Sequence, residues 1–356
     1  MASSTQSDKT KRHWRVLRNA LLRSTSSGPP SSPADATGSA TASSIATEFF
    51  PLYLERPVDT AQVQIRSPAQ ENFAWMAYDL SAASNKHTGR LSATVYVHEK
   101  RKDVKRVSIA ELLSHKVNEG VDNTGNIRTW PSEQILLSYM LSSGVCSQVQ
   151  RRGSEDGAPL PISCCELGSG MAGLASLGLL ACATTDLERV VVTDGNPLSI
   201  KNLQLCVEEN KMKNAFSSRT HGTDIAAELL RWDRNVTLRE DLQQHFDLVF
   251  ASDCLFFEEF HEDLAHTIKG LLRRGSGRCL LLQPSRNGSM ERFCIIAEHQ
   301  GFTVHRSESY DPEIVRKHAQ YQQTRPDYVP DVHFPVLLTL TLGDTAANRR
   351  SATPSW

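Results

Sequence analysis

The segment Cys164-Cys165-Glu166-Leu167-Gly168-Ser169-Gly170-Met171-Ala172-Gly173, with Val190-Val191-Val192-Thr193-Asp194-Gly195-Asn196 after it, decides how this chain is read. Each part is a strand-like apolar run ending in a carboxylate beside glycine or asparagine. Together they predict the opening β-α-β unit of a site for an adenosine-containing cofactor. Glycine lets backbone approach a ligand, and an acid after the second strand can accept hydrogen bonds from ribose hydroxyls.

Gly168, Gly170 and Gly173 match G-x-G-x-x-G, a pattern shared by dinucleotide and S-adenosylmethionine sites. Glu166, directly before the first glycine, separates the two. A negative charge there would face a pyrophosphate, whereas a sulfonium cofactor with a cationic amino-acid tail tolerates it. Asp194 lies about twenty residues beyond Gly173, a spacing that suits the ribose diol in either case.

Working outward, apolar runs alternate with helical patterns. Candidate strands are 162–166, 190–194, 228–232, 246–252, 278–283, 303–306 and 336–342. This is the β/α alternation of an α/β fold with a doubly wound, mostly parallel seven-stranded sheet. The last two strands lack a long apolar helix between them, which predicts an antiparallel pair at the sheet edge. Upstream, 63–66, 73–80 and 91–98 read as strands of a small β-rich lead-in, punctuated by Pro, Asn and Gly. Asp122 to Asn126 reads as a turn. A helix follows with Pro131 in its first turn, Glu133 at its positive end and Ile135, Leu136, Tyr139 and Met140 as its apolar stripe.

The carboxyl ends of the strands face the ligand crevice in such sheets, which gives several residues candidate roles. Trp232, read as the end of the third strand, can cover an adenine ring, and Trp130 can close the pocket from the lead-in side; either can equally be core packing. Asp253, after the fourth strand, is placed for the cofactor amine or the acceptor, and can also cap the next helix. Phe256 and Phe257 can line a channel for a cationic amine. Glu258, Glu259, Glu262 and Asp263 complement the dipole of the helix they open.

The 39 basic and 40 acidic side chains nearly cancel, so no whole-protein field draws the chain to nucleic acid or lipid. No apolar stretch reaches the roughly twenty residues needed to cross a bilayer. Eight cysteines without a C-x-x-C pair lie mostly in apolar runs, so zinc and a disulfide framework are not expected, and a soluble protein of a reducing compartment is. Residues 1–45 divide into a basic stretch, Lys9 to Arg23, with Trp14, Leu17 and Leu21 on one helical face, and a Ser/Pro/Ala-rich linker read as disordered. Residues 46–120 form the β-rich region, 121–343 the main domain and 344–356 a tail. Lys100, Arg101, Lys102, Lys105 and Arg106 make a basic cluster, either a docking patch or a solvated hairpin tip.

Read in order, Asp122-Asn123-Thr124-Gly125-Asn126, Trp130-Pro131-Ser132-Glu133, Cys165 to Met171, Thr193-Asp194-Gly195-Asn196, Leu230-Arg231-Trp232-Asp233, Ala251 to Phe256 and His333-Phe334-Pro335 resemble the Rossmann-like class I methyltransferases, in their protein-lysine branch. The resemblance spans roughly residues 121–342. It implies transfer of methyl from S-adenosyl-L-methionine to a lysine, up to the trimethylated state, with calmodulin as protein substrate. It implies no metal, no nucleic-acid partner, a monomer, and a cytoplasmic location with access to the nucleus. Trp130, Glu166, Gly168, Gly170, Asp194, Asn196, Trp232 and Ser252 would hold the cofactor, with Asp253 positioning substrate or cofactor amine. Calmodulin is acidic, so the cluster at Lys100 to Arg106 and the N-terminal basic helix gain docking roles. Three alternatives stay open: another protein lysine, a nicotinamide oxidoreductase, and a catalytically silent interaction module on the same fold.

Overall fold

The structure, a computed structural model, describes residues 49–66, 73–81, 93–100, 129–153 and 157–343. The basic N-terminal stretch, the linker, residues 101–106 of the basic cluster, the turn at 122–126 and the tail lie outside the described residues.

The lead-in forms an antiparallel three-stranded sheet of β1 (Leu54–Pro57), β2 (Phe73–Asp79) and β3 (Thr94–Lys100) in that order. Trp75 and Ala77, alternating along β2, are buried on one face and Tyr78 on the other, and β3 buries Val95 and Val97. Residues 63–66, read as a strand, are not one. The Gln64 and Ile65 amides donate instead to the carboxylate of Glu209, at 2.7–3.0 Å, so they have no ladder to join. The strand that was not anticipated, β1, is Leu-Glu-Arg-Pro with an almost wholly exposed face, and no apolar alternation marks it.

The second sheet has seven strands: β4 (Ile162–Glu166), β5 (Leu187–Asp194), β6 (Asp224–Leu229), β7 (Leu248–Ser252), β8 (Arg278–Pro284), β9 (Phe302–Ser307) and β10 (Pro335–Leu342). Their order is β6-β5-β4-β7-β8-β10-β9. All neighbours are parallel except β10, which runs antiparallel to both β8 and β9. The expected doubly wound architecture and antiparallel edge pair are therefore present. The third strand differs from its sequence reading: it spans Asp224–Leu229, and Trp232 lies beyond its end. As an edge strand β6 is only half-buried along its length, so apolar content misplaces it toward Leu230 and Trp232.

Eight α-helices are present among the described residues: α1 (Pro131–Ser143), α2 (Val145–Gln148), α3 (Leu174–Cys182), α4 (Pro197–Met212), α5 (His261–Leu271), α6 (Ser289–His299), α7 (Pro312–Thr324) and α8 (Pro330–His333). Pro131 opens α1, and Gly144 ends it in the left-handed conformation at φ 68°. Every residue of α3 is buried, as a sequence apolar but for Ser176 requires, and α1 packs across it. Two asparagines of α4 bolt the small sheet on. Asn210 exchanges hydrogen bonds with the Tyr96 backbone at 2.9 and 2.6 Å, and Asn202 donates to the carbonyls of His98 (2.6 Å) and Met171 (2.7 Å). These amides cover the free edge of β3, and both sheets share one continuous core from Phe49 to Leu342. No helix among the described residues is long and apolar enough to cross a membrane.

Candidate active site

The turn from β4 into α3 is built on glycine geometry. Gly168, Gly170 and Gly173 hold φ of 62°, 62° and 59°, a left-handed region that L side chains avoid. A Cβ on Gly168 would lie 2.8 Å from Cys254 Sγ and 3.2 Å from Trp232 Cζ2. The indole of Trp232 and the backbone of the loop are thus in direct apposition, although Trp232 reaches there from a loop rather than from the strand end. The loop is also stitched to the end of β5. The Ser169 amide and hydroxyl donate to Thr193 O, each at 3.0 Å, and the Gly170 amide donates to Asp194 Oδ2 at 2.9 Å. The Asn196 amide donates to Asp194 Oδ1 at 2.7 Å. Two backbone donors therefore fix the carboxylate of Asp194 beside the loop. Asn196 caps α4 by accepting from the Leu198 amide at 2.8 Å.

Behind the loop lie three buried carboxylates. Glu166, at the end of β4, turns into the first turn of α3 and accepts from the Ser176 amide (3.1 Å) and hydroxyl (2.5 Å). Burial pushes its pKa up to about 7 against the lowering effect of those hydrogen bonds, and the charge of Asp194 adds to the rise. Sequence reading puts this group close to the cofactor; in the fold its carboxylate is held by the start of α3. Glu133 of α1 accepts from the Ala175 amide at 3.2 Å, and its pKa is raised first by burial and then by Glu166. It stands in the first turn of its own helix as expected and also satisfies the N-terminus of α3, a role nothing local in the sequence signals. Glu99 of β3 accepts from Tyr78 Oη (2.6 Å) and from the amide (2.7 Å) and hydroxyl (2.8 Å) of Thr129; burial raises its pKa too. Thr129 leads into Trp130, which stands half-buried at the N-cap of α1. The entry to α1 is thereby anchored to the small sheet.

The other wall is made where β7 and β8 end. Ser252 closes β7, and Asp253 follows with φ 53° while its amide still donates to Leu282 O of β8 at 2.9 Å. The N-cap role considered for Asp253 is not what the structure shows, because the next helical turn starts only at Glu258. Its carboxylate makes a two-pronged pair with Arg286, Nε to Oδ1 at 2.9 Å and Nη2 to Oδ2 at 2.5 Å. The same guanidinium lies 5.3 Å from the centroid of the Phe256 ring, which meets Phe257 edge-on at 4.8 Å. Arg286 was not anticipated as a site residue. Cys254 joins the two walls, its Sγ lying 3.5 Å from Leu167 O of the glycine loop. Glu262 and Asp263 sit in the first turn of α5 as expected, whereas Glu258 is paired with Arg292 of α6.

Residues 112–300 match the lysine methyltransferase family. The calmodulin-lysine N-methyltransferase of Arabidopsis thaliana is 31% identical over 342 residues, covering 95% of this chain and 98% of that protein. Among solved structures, the CurJ carbon methyltransferase shares 12% identity at a TM-score of 0.39, covering 60% of this chain and 54% of that one. A methyltransferase from Pyrococcus furiosus shares 13% identity at a TM-score of 0.35, covering 57% of this chain and 82% of that one. The cofactor of the family is S-adenosylmethionine. The residues present suit it: Gly168 offers bare backbone where a Cβ would collide, an indole lies against that surface, and Asp194 presents a carboxylate oriented by two amides. The chain belongs to the S-adenosylmethionine-dependent lysine methyltransferases, on the class I Rossmann-like fold.

Proposed function

We propose that this protein methylates a lysine of calmodulin, up to the trimethylated state. The observation that carries the reading is the match to the calmodulin-lysine enzyme of Arabidopsis thaliana, which runs through nearly the full length of both chains rather than through the cofactor half alone. Substrate choice in this fold lives in loops and appendages, so coverage of the lead-in is what bears on the substrate.

When bound, S-adenosylmethionine would supply an electrophilic methyl for the lysine nitrogen. The chain's residues bind and orient. Gly168, Gly170 and Trp232 form the surface for the adenosyl part, Asp194 accepts from its ribose, and Trp130, Asn196 and Ser252 complete the proposed cofactor set. Glu166 and Glu133 keep the start of α3, and with it the glycine loop, in place. Asp253 stands on the acceptor side. A lysine near pKa 10.4 gives up about 4–5 kcal/mol to present its neutral amine at pH 7 unless the site lowers that pKa. Removal from water beside a sulfonium does so without a strong base, and alignment supplies much of the rest.

The test is incubation with labelled methyl donor and unmethylated calmodulin, followed by mass mapping, with Asp194→Ala as the inactive control. Label on one lysine, advancing to three methyls, supports the reading. Label on other proteins of a lysate but not on calmodulin reassigns the substrate.

A further inference from the structure

The segments after β7 and β8 are locked together by two arginine–carboxylate forks. One is Asp253–Arg286; the other is Glu258–Arg292, at 2.6 and 2.7 Å. Between them, the Leu255 amide donates to Gln283 Oε1 at 3.1 Å, and the Ser289 hydroxyl donates to Leu255 O. The inner fork has features that holding loops together does not require. Both of its residues are left-handed, Asp253 at φ 53° and Arg286 at φ 47°, although neither is glycine. Such conformations cost of order 1–2 kcal/mol each and persist where the surroundings impose them, commonly at functional sites. Both side chains are four-fifths or more buried, at the crevice edge of the sheet, and the guanidinium also covers Phe256.

A carboxylate at this edge raises an electrostatic problem for methyl transfer to an amine. A lone negative charge near the acceptor favours the ammonium form, which has no lone pair to attack with. Pairing it with a guanidinium cancels the field while leaving oxygen lone pairs that can accept a hydrogen bond from the amine. We propose that Arg286 is a positioning residue for the acceptor lysine: it holds Asp253 as a hydrogen-bond acceptor within a pair of no net charge, so that the lysine is received as the neutral amine. This rests on the reading of Asp253 as the acceptor-side residue.

Among the other ionisable groups around the pair, two glutamates are matched by arginines and one histidine is neutral. Glu258 faces Arg292, and Glu291 faces Arg306 and the Ser285 hydroxyl. Asp331 accepts from the Asn287 amide at 2.7 Å. His333 has its pKa pushed down to about 4 by burial and then by the charge of Arg286, so it carries no charge near neutrality. Asp253 is the carboxylate that the Arg286 guanidinium pairs with directly.

The experiment compares wild type, Arg286→Gln, Arg286→Lys and Asp253→Asn by the pH dependence of kcat, with unmethylated calmodulin and with polylysine as acceptors. Loss of the guanidinium leaves Asp253 uncompensated, so the acidic limb of the profile moves up by about one pH unit in Arg286→Gln. Arg286→Lys returns most of that shift, and Asp253→Asn moves the limb the opposite way. A second readout does not depend on turnover. Calorimetry of acceptor binding to the S-adenosylhomocysteine complex, in two buffers of different ionisation enthalpy, gives fewer protons released for Arg286→Gln than for wild type. A uniform fall in kcat at every pH, or shifts of the same sign in Arg286→Gln and Asp253→Asn, overturns the proposal. If Arg286→Gln fails to bind S-adenosylhomocysteine and is unfolded, the direction of the Asp253→Asn shift decides alone. Wild type that methylates polylysine but not calmodulin refutes the substrate and leaves this proposal standing or falling on the polylysine profiles. Wild type that methylates neither refutes both.

Discussion

Replacing Gly168 with alanine separates the two physical demands that the glycine loop makes. The first is conformational: at φ 62° an L side chain costs about 1–2 kcal/mol. The second is spatial, because the new methyl would lie 2.8 Å from Cys254 Sγ and 3.2 and 3.5 Å from two ring carbons of Trp232, and such overpacking costs about 1–3 kcal/mol. The expected loss of stability is therefore about 2–5 kcal/mol. Gly144 is the internal control: its φ is 68° and nothing lies within 4 Å of its ideal Cβ, so Gly144→Ala should cost the conformational part alone, about 1–2 kcal/mol. Urea denaturation of the two variants measures the difference. Isothermal titration with S-adenosylhomocysteine should show at least a tenfold weaker Kd for Gly168→Ala and none for Gly144→Ala. Adding Cys254→Ala to Gly168→Ala removes the closest of the three contacts and should recover part of the stability. If Gly168→Ala is no less stable than Gly144→Ala and binds as wild type, the apposition of indole and loop is not what shapes this site.

Asp194→Asn keeps one acceptor where the Gly170 and Asn196 amides now use two; it should weaken S-adenosylhomocysteine binding tenfold or more, and an unchanged Kd by calorimetry would remove Asp194 from the site. Glu166 is ordinarily ionised above about 4.5 but in the fold only above about 7, so its contribution to stability is full below pH 4.5 and declines as pH rises to 7. Glu166→Gln should flatten that part of the stability–pH curve in urea melts, and a curve of unchanged slope would contradict the assignment. Asp247, whose side chain is wholly buried, is gripped by Arg151 (2.9 Å), Arg273 (2.8 Å) and the Ser163 amide (3.0 Å). Asp247→Ala should cost about 3–5 kcal/mol in denaturation while leaving S-adenosylhomocysteine affinity of the folded fraction intact; a loss below 1 kcal/mol would show that the pair is not needed.

What could be read from the chain follows from where each residue finds its partners. Central strands such as β7 and β8 are buried on both faces and announce themselves by the apolar runs Leu248 to Ala251 and Cys279 to Leu282. Edge strands carry no such mark, which is why β6 was placed too late and β1 was not seen. The glycine loop and Asp194 were legible because tight backbone geometry demands particular residues at fixed spacing. Arg286 and Glu133 were not, since their partners lie 33 and 42 residues away and only the fold brings them together. Residues 63–66 misled for the same reason: their amides are claimed by a carboxylate about 145 residues further on.

The place of β10 bears on how the molecule is assembled during synthesis. This strand lies between β8 and β9, with Pro335 to Thr341 registered against β8 and Leu337 to Leu342 against β9. Until residues 335–342 have left the ribosome, β8 offers an unpaired apolar edge and β9 has no neighbouring strand. The nascent chain must therefore hold an open seam through the making of about fifty residues after β8, an interval in which chaperone capture or sticking to another strand competes with closure. A premature stop just before Pro335 would leave the glycine loop and its acids present in sequence, yet the seam beside β8 would never close.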